Sequence, residues 1–190
     1  MNIFEAIKAY IPYNDQERFD KNNMLDLMAK YDDIFYRENM VAHMTSSAWV
    51  TNKNHDKILM AYHNIYKAWA WLGGHCDGEQ NCLEVALREV KEESGVKNVK
   101  VVSDEIFSLE VLSVDSHFRK GQYVPTHIHL NVTYLLEADE NDELFIKQDE
   151  NSGVAWFKLE EVYDKVDEEW FKENIYRKLN EKLRTYYENN

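Results

Sequence analysis

The chain has 190 residues, of which 44% are hydrophobic and 13% aromatic; that is enough to bury a proper core and excludes a disordered or fibrous chain. A formal net charge of −13 disfavours a general nucleic-acid surface, which needs basic patches, but leaves small anionic substrates open if metal ions bridge the charge. The two cysteines, Cys76 and Cys82, form neither a CxxC pair nor a disulfide framework, no apolar run has the length of a membrane span, and no basic segment leads into an apolar one at the start, so a cytoplasmic protein with reduced thiols and no membrane partner is expected.

From Met1 to about Arg37 the spacing of Ile3, Ile7 and Tyr10, then of Met24, Leu25, Leu27 and Met28, predicts two helices broken at Pro12 and Asn14-Asp15. They are expected to pack on the domain or across a homodimer, and could cover one side of a substrate cleft. Met44 to Thr51 and Lys57 to His63 read as a hairpin across the turn at residues 52–56. Trp69 to Leu72 alternates as a short strand before Gly73-Gly74, where the backbone can come close to a ligand and turn its carbonyls toward a metal.

Gly74 to Val96 reads GHCDGEQNCLEVALREVKEESGV, and its acids are crowded onto a short helical segment. Glu89, Glu92 and Glu93 stand at i, i+3 and i+4, so their carboxylates project into one small volume and repel unless a cation sits among them. Leu83, Leu87 and Val90 fall on another face that can pack against a sheet, and Arg88, one turn before Glu92, can pair with it. Asn81 is the expected N-cap, with Glu84 three residues on, and Gly95 the expected residue just past the C-terminus. An all-oxygen site of this kind suits magnesium or manganese rather than zinc or copper.

Gly74, five residues, Gln80, seven residues, then Arg88-Glu89-Val90-x-Glu92-Glu93-x-Gly95-Val96 resembles the Nudix box of the Nudix hydrolases, G-x5-E-x7-R-E-U-x-E-E-x-G-U with U a bulky aliphatic residue. Every fixed position matches except Gln80, where the family has glutamate; an amide coordinates through oxygen but brings no charge, so a weaker metal site is expected, with Glu79 next door either a partial substitute or directed elsewhere at the helix start. Arg37, His43-x-Thr45-x-Ser47-Ala48-Trp49 and the loop from Gly73 to Gly78 are similar to a poorly characterised subgroup of the family.

The resemblance implies an α/β fold, a Nudix-type α/β/α sandwich with a mixed central sheet and helical extensions at both ends. The expected domain is single, with residues 1–40 as N-terminal extension, 41–165 as core and 166–190 as C-terminal helix. It implies Mg2+, or Mn2+, held by Glu89, Glu92 and Glu93 with the Gly73 carbonyl, and Arg88 in the catalytic constellation. A further late-loop glutamate is implied as metal ligand or general base; Glu150 is the candidate and Asp149 the fallback, the alternative being an ordinary surface acid. The implied reaction is hydrolysis of a diphosphate linkage in a nucleoside diphosphate derivative or similar small phosphorylated metabolite, with the general base Glu89 or Glu150.

After the box, Val99 to Val102 and Glu105 to Val114 read as strands, Ser116 to Thr126 as a loop containing Arg119, Lys120 and Gly121, and His127 to Leu136 as a long strand. Glu137 to Glu143 is an acidic connection, Val154 to Phe157 a last strand, and Leu159 to Tyr163 begins a helical tail. The final helix, roughly Glu168 to Tyr187, carries Phe171, Ile175, Leu179, Leu183 and Tyr187 at spacings of four.

Several residues beside the box are substrate candidates. His75 and Asp77 could touch a diphosphate, or Asp77 and Gly78 could simply build a turn. His127 and His129 share a strand face and could meet phosphate or metal, or be ordinary strand residues. Arg37, His63 and Lys67 are phosphate contacts or surface groups; Trp69 and Trp71 stack a base or pack in the core. A zinc site from His75, Cys76, Cys82 and these histidines has no supporting spacing. Three rival readings stand beside hydrolysis: an isoprenoid diphosphate isomerase with Cys76 as acid/base, a ligand-binding or regulatory module suggested by Gln80, and an interaction protein built on the terminal helices.

Overall fold

A computed structural model of the chain describes residues 2–64, 67–119, 121–148 and 150–189. The helices are α1 (Ile3–Ala9), α2 (Asp15–Lys30), α3 (Cys82–Ser94), α4 (Glu169–Phe171) and α5 (Arg177–Glu188). The strands are β1 (Ala42–Thr51), β2 (Lys57–His63), β3 (Ala68–Ala70), β4 (Leu72–His75), β5 (Val99–Val101), β6 (Ser108–Val114), β7 (His117–Arg119), β8 (Gln122–Val124), β9 (His127–Ala138) and β10 (Asn151–Lys158). The hydrogen-bonded strand order is β10-β2-β1-β9-β5, with β3 joining β2, β4 joining β1 and β6 joining β9. The fold is α/β, as expected.

The chain divides into two compact units, Met1–Ser47 with Gly73–Ala86 and Ser103–Tyr134, and Ala48–Leu72 with Leu87–Val102 and Leu135–Asn190. In the first, Asn2 and Asn14 cap α1 and α2, each accepting from the amide three residues on at 2.9 Å. The α2 helix is anchored to β6 by polar groups as well as apolar ones: Asp20 accepts from the Val111 amide at 3.1 Å, and the fully buried Glu17 accepts from Tyr10 Oη at 2.6 Å and Ser108 Oγ at 2.9 Å. Two polar residues of the buried strand β1 have a partner on β9: Thr45 and Ser47 both donate to Asn131 Oδ1, at 3.1 and 2.8 Å. The helical stretch stops at Lys30 rather than near Arg37, and residues 31–37 turn back so that Ile34 O accepts from the Met44 amide at 2.7 Å.

In the second unit β10 runs antiparallel to β2, from Val154 opposite Ala61 to Lys158 opposite Lys57, and is longer than the four residues expected of it. Trp49 stacks on Tyr176 at 5.6 Å, and Trp71 meets the same ring edge-on at 5.6 Å. Trp69 lies edge-on to Tyr62 and Phe157, so both tryptophans of the WAW stretch pack in aromatic clusters rather than standing free for a base. The tail helix is not uniform: a π-helical turn, Lys172–Tyr176, separates α4 from α5 and brings Tyr176 inward beside Ile175. A spacing of four could not reveal this, because the extra residue shifts the phase only inside the helix. The expected loop at 116–126 contains the β7–β8 hairpin; its Lys120 lies outside the described residues.

Candidate functional site

Helix α3 has the predicted boundaries. Its first turn is capped weakly by Asn81, whose Oδ1 lies 3.5 Å from the Glu84 amide, and it ends at Gly95, which has φ +76° and donates to Lys91 O at 2.9 Å. A Cβ on Gly95 would come within 2.6 Å of the Phe145 ring, so the glycine is required twice over. Of the expected Leu83, Leu87 and Val90, only Val90 is buried. Cys82, Val85, Ala86 and Val90 are the buried apolar residues of the helix, while Leu83 and Leu87 are half-exposed, because the short side chains allow the close approach and the leucines flank it. Glu93 lies on this buried side with 3% exposure.

The other acids of the helix have definite partners. Arg88 Nη2 reaches Glu89 Oε1 at 3.3 Å rather than pairing with Glu92. Glu92 is taken instead by Lys147, whose Nζ lies 3.0 Å from Glu92 Oε2 and 2.9 Å from Glu150 Oε2. One ammonium thus joins the box helix to the late-loop glutamate named from the sequence. Burial works against that ammonium, yet the hydrogen bonds to Glu150 and Glu92 hold Lys147 above its ordinary pKa. The Glu89 carboxyl is also raised in pKa: burial raises it, and the Arg88 guanidinium only partly pulls it back.

Asn151, 1% exposed, fixes the loop that delivers Lys147 and Glu150. Its Nδ2 donates to Glu93 O at 2.9 Å and its Oδ1 accepts from the Lys147 amide at 3.1 Å. The sequence reading missed Lys147 and Asn151, although Lys147 is the sole base between Glu137 and Asn151. The fallback Asp149 lies outside the described residues. Gln80 is exposed, and the neighbouring Glu79 Oε1 accepts from the Asn81 amide at 2.7 Å.

The residues of the first unit form a second group. Gly73 on β4 lies so close to β1 that a Cβ would stand 2.5 Å from Ser47 Oγ and 2.6 Å from Ser46 O. Arg37 and Asp77 pair with each other through two hydrogen bonds, the Nε to Oδ1 one at 2.6 Å, and the guanidinium holds the Asp77 carboxyl below its usual range. Asp77 and Gly78 both have positive φ, 49° and 92°, so the turn is present as well.

Behind that turn four histidine rings converge. His43 on β1 lies with its ring centroid 5.0 Å from His75, 4.9 Å from His127 and 5.0 Å from His129. His127 and His129 share a strand face as expected, with their Nε2 atoms 3.2 Å apart. Among the described residues, the one group of three or more His, Cys, Asp or Glu whose ligand atoms all lie within 4.8 Å of one another is His43, His75 and His129. Burial lowers the pKa of all three, to about 3 for His75 and about 2 for His129, so the rings are neutral at neutral pH. His75, His127 and His129 were candidates from the sequence, whereas His43 was visible there only as a member of the HMTSSAW stretch. Cys76 and Cys82 are not members of that group; each is 1% exposed, with their sulfurs 3.8 Å from each other.

His63 is half-buried on β2, its pKa lowered by burial and raised in part by Glu150, and Lys67 is exposed in a positive-φ turn. An open cavity of about 740 Å³, lined by lysines that include Lys53, Lys91, Lys97 and Lys100, holds none of the candidate residues.

The NUDIX domain model matches residues 41–179. The chain belongs to the Nudix hydrolase family, whose members cleave at pyrophosphate bonds. Over 140 residues it is 28% identical to an RNA pyrophosphohydrolase of Pelagibacter ubique (strain HTCC1062), covering 71% of this chain and 87% of that protein. Its fold is similar to that of a C. elegans Ap4A hydrolase in a binary complex, with TM-score 0.55 and 17% identity over 77% of this chain and 98% of that one. It is likewise similar to a NUDIX family hydrolase from Clostridium perfringens, with TM-score 0.51 and 23% identity over 76% and 97% of the two chains. Among the described residues no helix is long and apolar enough to cross a membrane.

Proposed function

We propose that this Nudix hydrolase cleaves the diphosphate linkage of a nucleoside diphosphate derivative or a similar small phosphorylated metabolite, using Mg2+ or Mn2+ held by Glu89, Glu92, Glu93 and Glu150. The observation that carries it is the Lys147 ammonium shared by Glu92 and Glu150. A late-loop carboxylate and a box carboxylate already gather around one positive charge, and their donors are hard oxygens, which fits magnesium. The Gly73 carbonyl is proposed as a further ligand from the sequence pattern alone.

A bound divalent ion would neutralise phosphoryl charge and lower the pKa of a water. The chain's own residues do the rest. Glu89, desolvated and raised in pKa, or Glu150, accepts the proton of the attacking water. Arg88 orients Glu89 through its 3.3 Å contact, and Asn151 fixes the backbone of both Glu93 and Lys147. Lys147, released from one carboxylate, has the charge to meet a substrate phosphate. Residues 1–190 are proposed to act as a single Nudix domain.

The relatives' names, Ap4A hydrolase and RNA pyrophosphohydrolase, both describe hydrolases of phosphate-linked nucleotides. The net charge of −13 favours the small-molecule class over a long RNA. The test is a screen of nucleotide sugars, ADP-ribose, dinucleoside polyphosphates, deoxynucleoside triphosphates and 5′-triphosphorylated RNA with magnesium; no turnover of any diphosphate-containing compound would count against the proposal. One specific observation favours a second reading, a weakly catalytic ligand-binding module. Gln80 brings no charge and Glu79 is engaged elsewhere; tight binding of a nucleotide without cleavage would support that reading. The isomerase reading loses its acid/base, because Cys76 is 1% exposed beside Cys82.

A further inference from the structure

The geometry points to a site for one divalent transition-metal ion, zinc by preference, built by His43, His75 and His129 of the first unit. It stands independently of the proposed hydrolysis and of the acidic set on α3.

Three observations carry it. The ligand nitrogens of the three rings lie within 4.8 Å of one another, so small side-chain rotations suffice to bring them around one ion. His43 is 3% exposed, and its Nε2 has no hydrogen-bond partner among the described residues. Its Nδ1 lies 3.0 Å from the Asn39 carbonyl and must donate to it, which fixes the tautomer and leaves a bare acceptor lone pair on Nε2, in a ring whose centroid lies 5.0, 4.9 and 5.0 Å from those of His75, His127 and His129. A buried acceptor with nothing to accept from is costly unless something electron-poor sits there.

The surrounding hydrogen bonds repeat the arrangement. His127 Nδ1 lies 2.8 Å from the Pro125 carbonyl and donates to it, so His127 Nε2 is an acceptor. The 3.2 Å contact between the two Nε2 atoms then requires the proton to be on His129, leaving the His129 Nδ1 lone pair available. His127 is thus a positioning residue, holding one ligand as the Asn39 carbonyl holds another. The three ligands come from β1, β4 and β9, strands rather than loops, which keeps them in register.

The donor set selects the ion. Three imidazoles with neither carboxylate nor thiolate suit zinc, nickel, copper or ferrous iron, whereas magnesium demands oxygens. Three protein ligands also leave a fourth position for an exchangeable ligand, water or a phosphoryl oxygen.

The test uses the full chain, stripped with a chelator and then titrated with Zn2+ in excess Mg2+, which keeps the oxygen donors engaged. One equivalent of zinc is expected, and Co2+ in its place should give the intense visible absorption of a low-coordinate nitrogen-ligated site. His75→Asn and His129→Asn should each weaken zinc binding by more than about tenfold, while Glu92→Gln should leave it unchanged. Zinc binding that survives both histidine substitutions, or that is lost in Glu92→Gln, would place the ion elsewhere and overturn the inference. Should the histidine variants not fold, zinc-edge X-ray absorption of the wild-type protein decides: three imidazole scatterers support the site, and an oxygen-only shell or the absence of bound zinc overturns it.

Discussion

Lys147→Met removes the ammonium from between Glu92 and Glu150 while keeping an unbranched stem of similar length. In the structure that ammonium lies 3.0 and 2.9 Å from the two carboxylates, with side-chain exposures of 27% for the lysine, 46% for Glu92 and 35% for Glu150. Pairs this accessible are screened, and each contributes on the order of 0.5 kcal/mol. A divalent ion entering the same carboxylates must displace or share both contacts, so removing the lysine should tighten metal binding by about 1 kcal/mol, or about fivefold. Isothermal titration with Mn2+ needs no substrate and measures this directly. An affinity that is unchanged or weaker in Lys147→Met would show that Glu92 and Glu150 do not jointly hold the ion.

Three other substitutions or conditions follow from the same geometry. Gly73→Ala should destabilise the fold by about 2–3 kcal/mol in urea titration, because the new Cβ would stand 2.5 Å from Ser47 Oγ and 2.6 Å from the Ser46 carbonyl and backbone must move; a stability within 0.5 kcal/mol of wild type, roughly the noise of a surface change, would refute the close approach. Gln80→Glu should leave activity unchanged or raise it at low magnesium, since the side chain is exposed and the change adds charge without displacing packing; a loss would give the amide a role of its own. Metal-stripped protein should lose stability in mild acid. His75 and His129 have folded pKa values of about 3 and about 2 against 6.5 unfolded, so the unfolded chain binds protons first, and the stabilisation is lost as pH falls below 6.5. By pH 5 each histidine should cost about 2 kcal/mol relative to pH 7, read by denaturant titration at the two pH values, and a flat profile would contradict neutral buried rings.

How much of this was legible in the sequence depends on range. The span of α3, the Gly95 stop and the β2 limits were readable because each depends on neighbours within one turn or one strand. Glu150 was nameable from its place at the mouth of β10, but its tie to the box runs through Lys147, which meets Glu92 across 55 residues of sequence, and no local periodicity records such a contact. His43 was visible as part of a motif and invisible as a cluster member, for its partners come from β4 and β9 and only strand pairing assembles them. The buried face of α3 was misplaced by side-chain size: Leu83 and Leu87 are more hydrophobic than Cys82 and Ala86, yet the smaller residues lie at the close contact. The Arg88 pairing failed for a different reason, since helix spacing permits Glu92 while Lys147 competes for it from outside the helix.

The most direct measurement is Glu92→Gln, assayed for cleavage of whichever diphosphate substrate the screen returns. Glu92 is exposed to 46% on its side chain, so the isosteric amide should leave the circular dichroism and melting temperature unchanged. Removing that one charge from the metal-holding set should lower magnesium-dependent turnover by at least about a hundredfold. Turnover within a few-fold of wild type in a folded Glu92→Gln protein would contradict the assignment of the α3 carboxylates as the catalytic metal site.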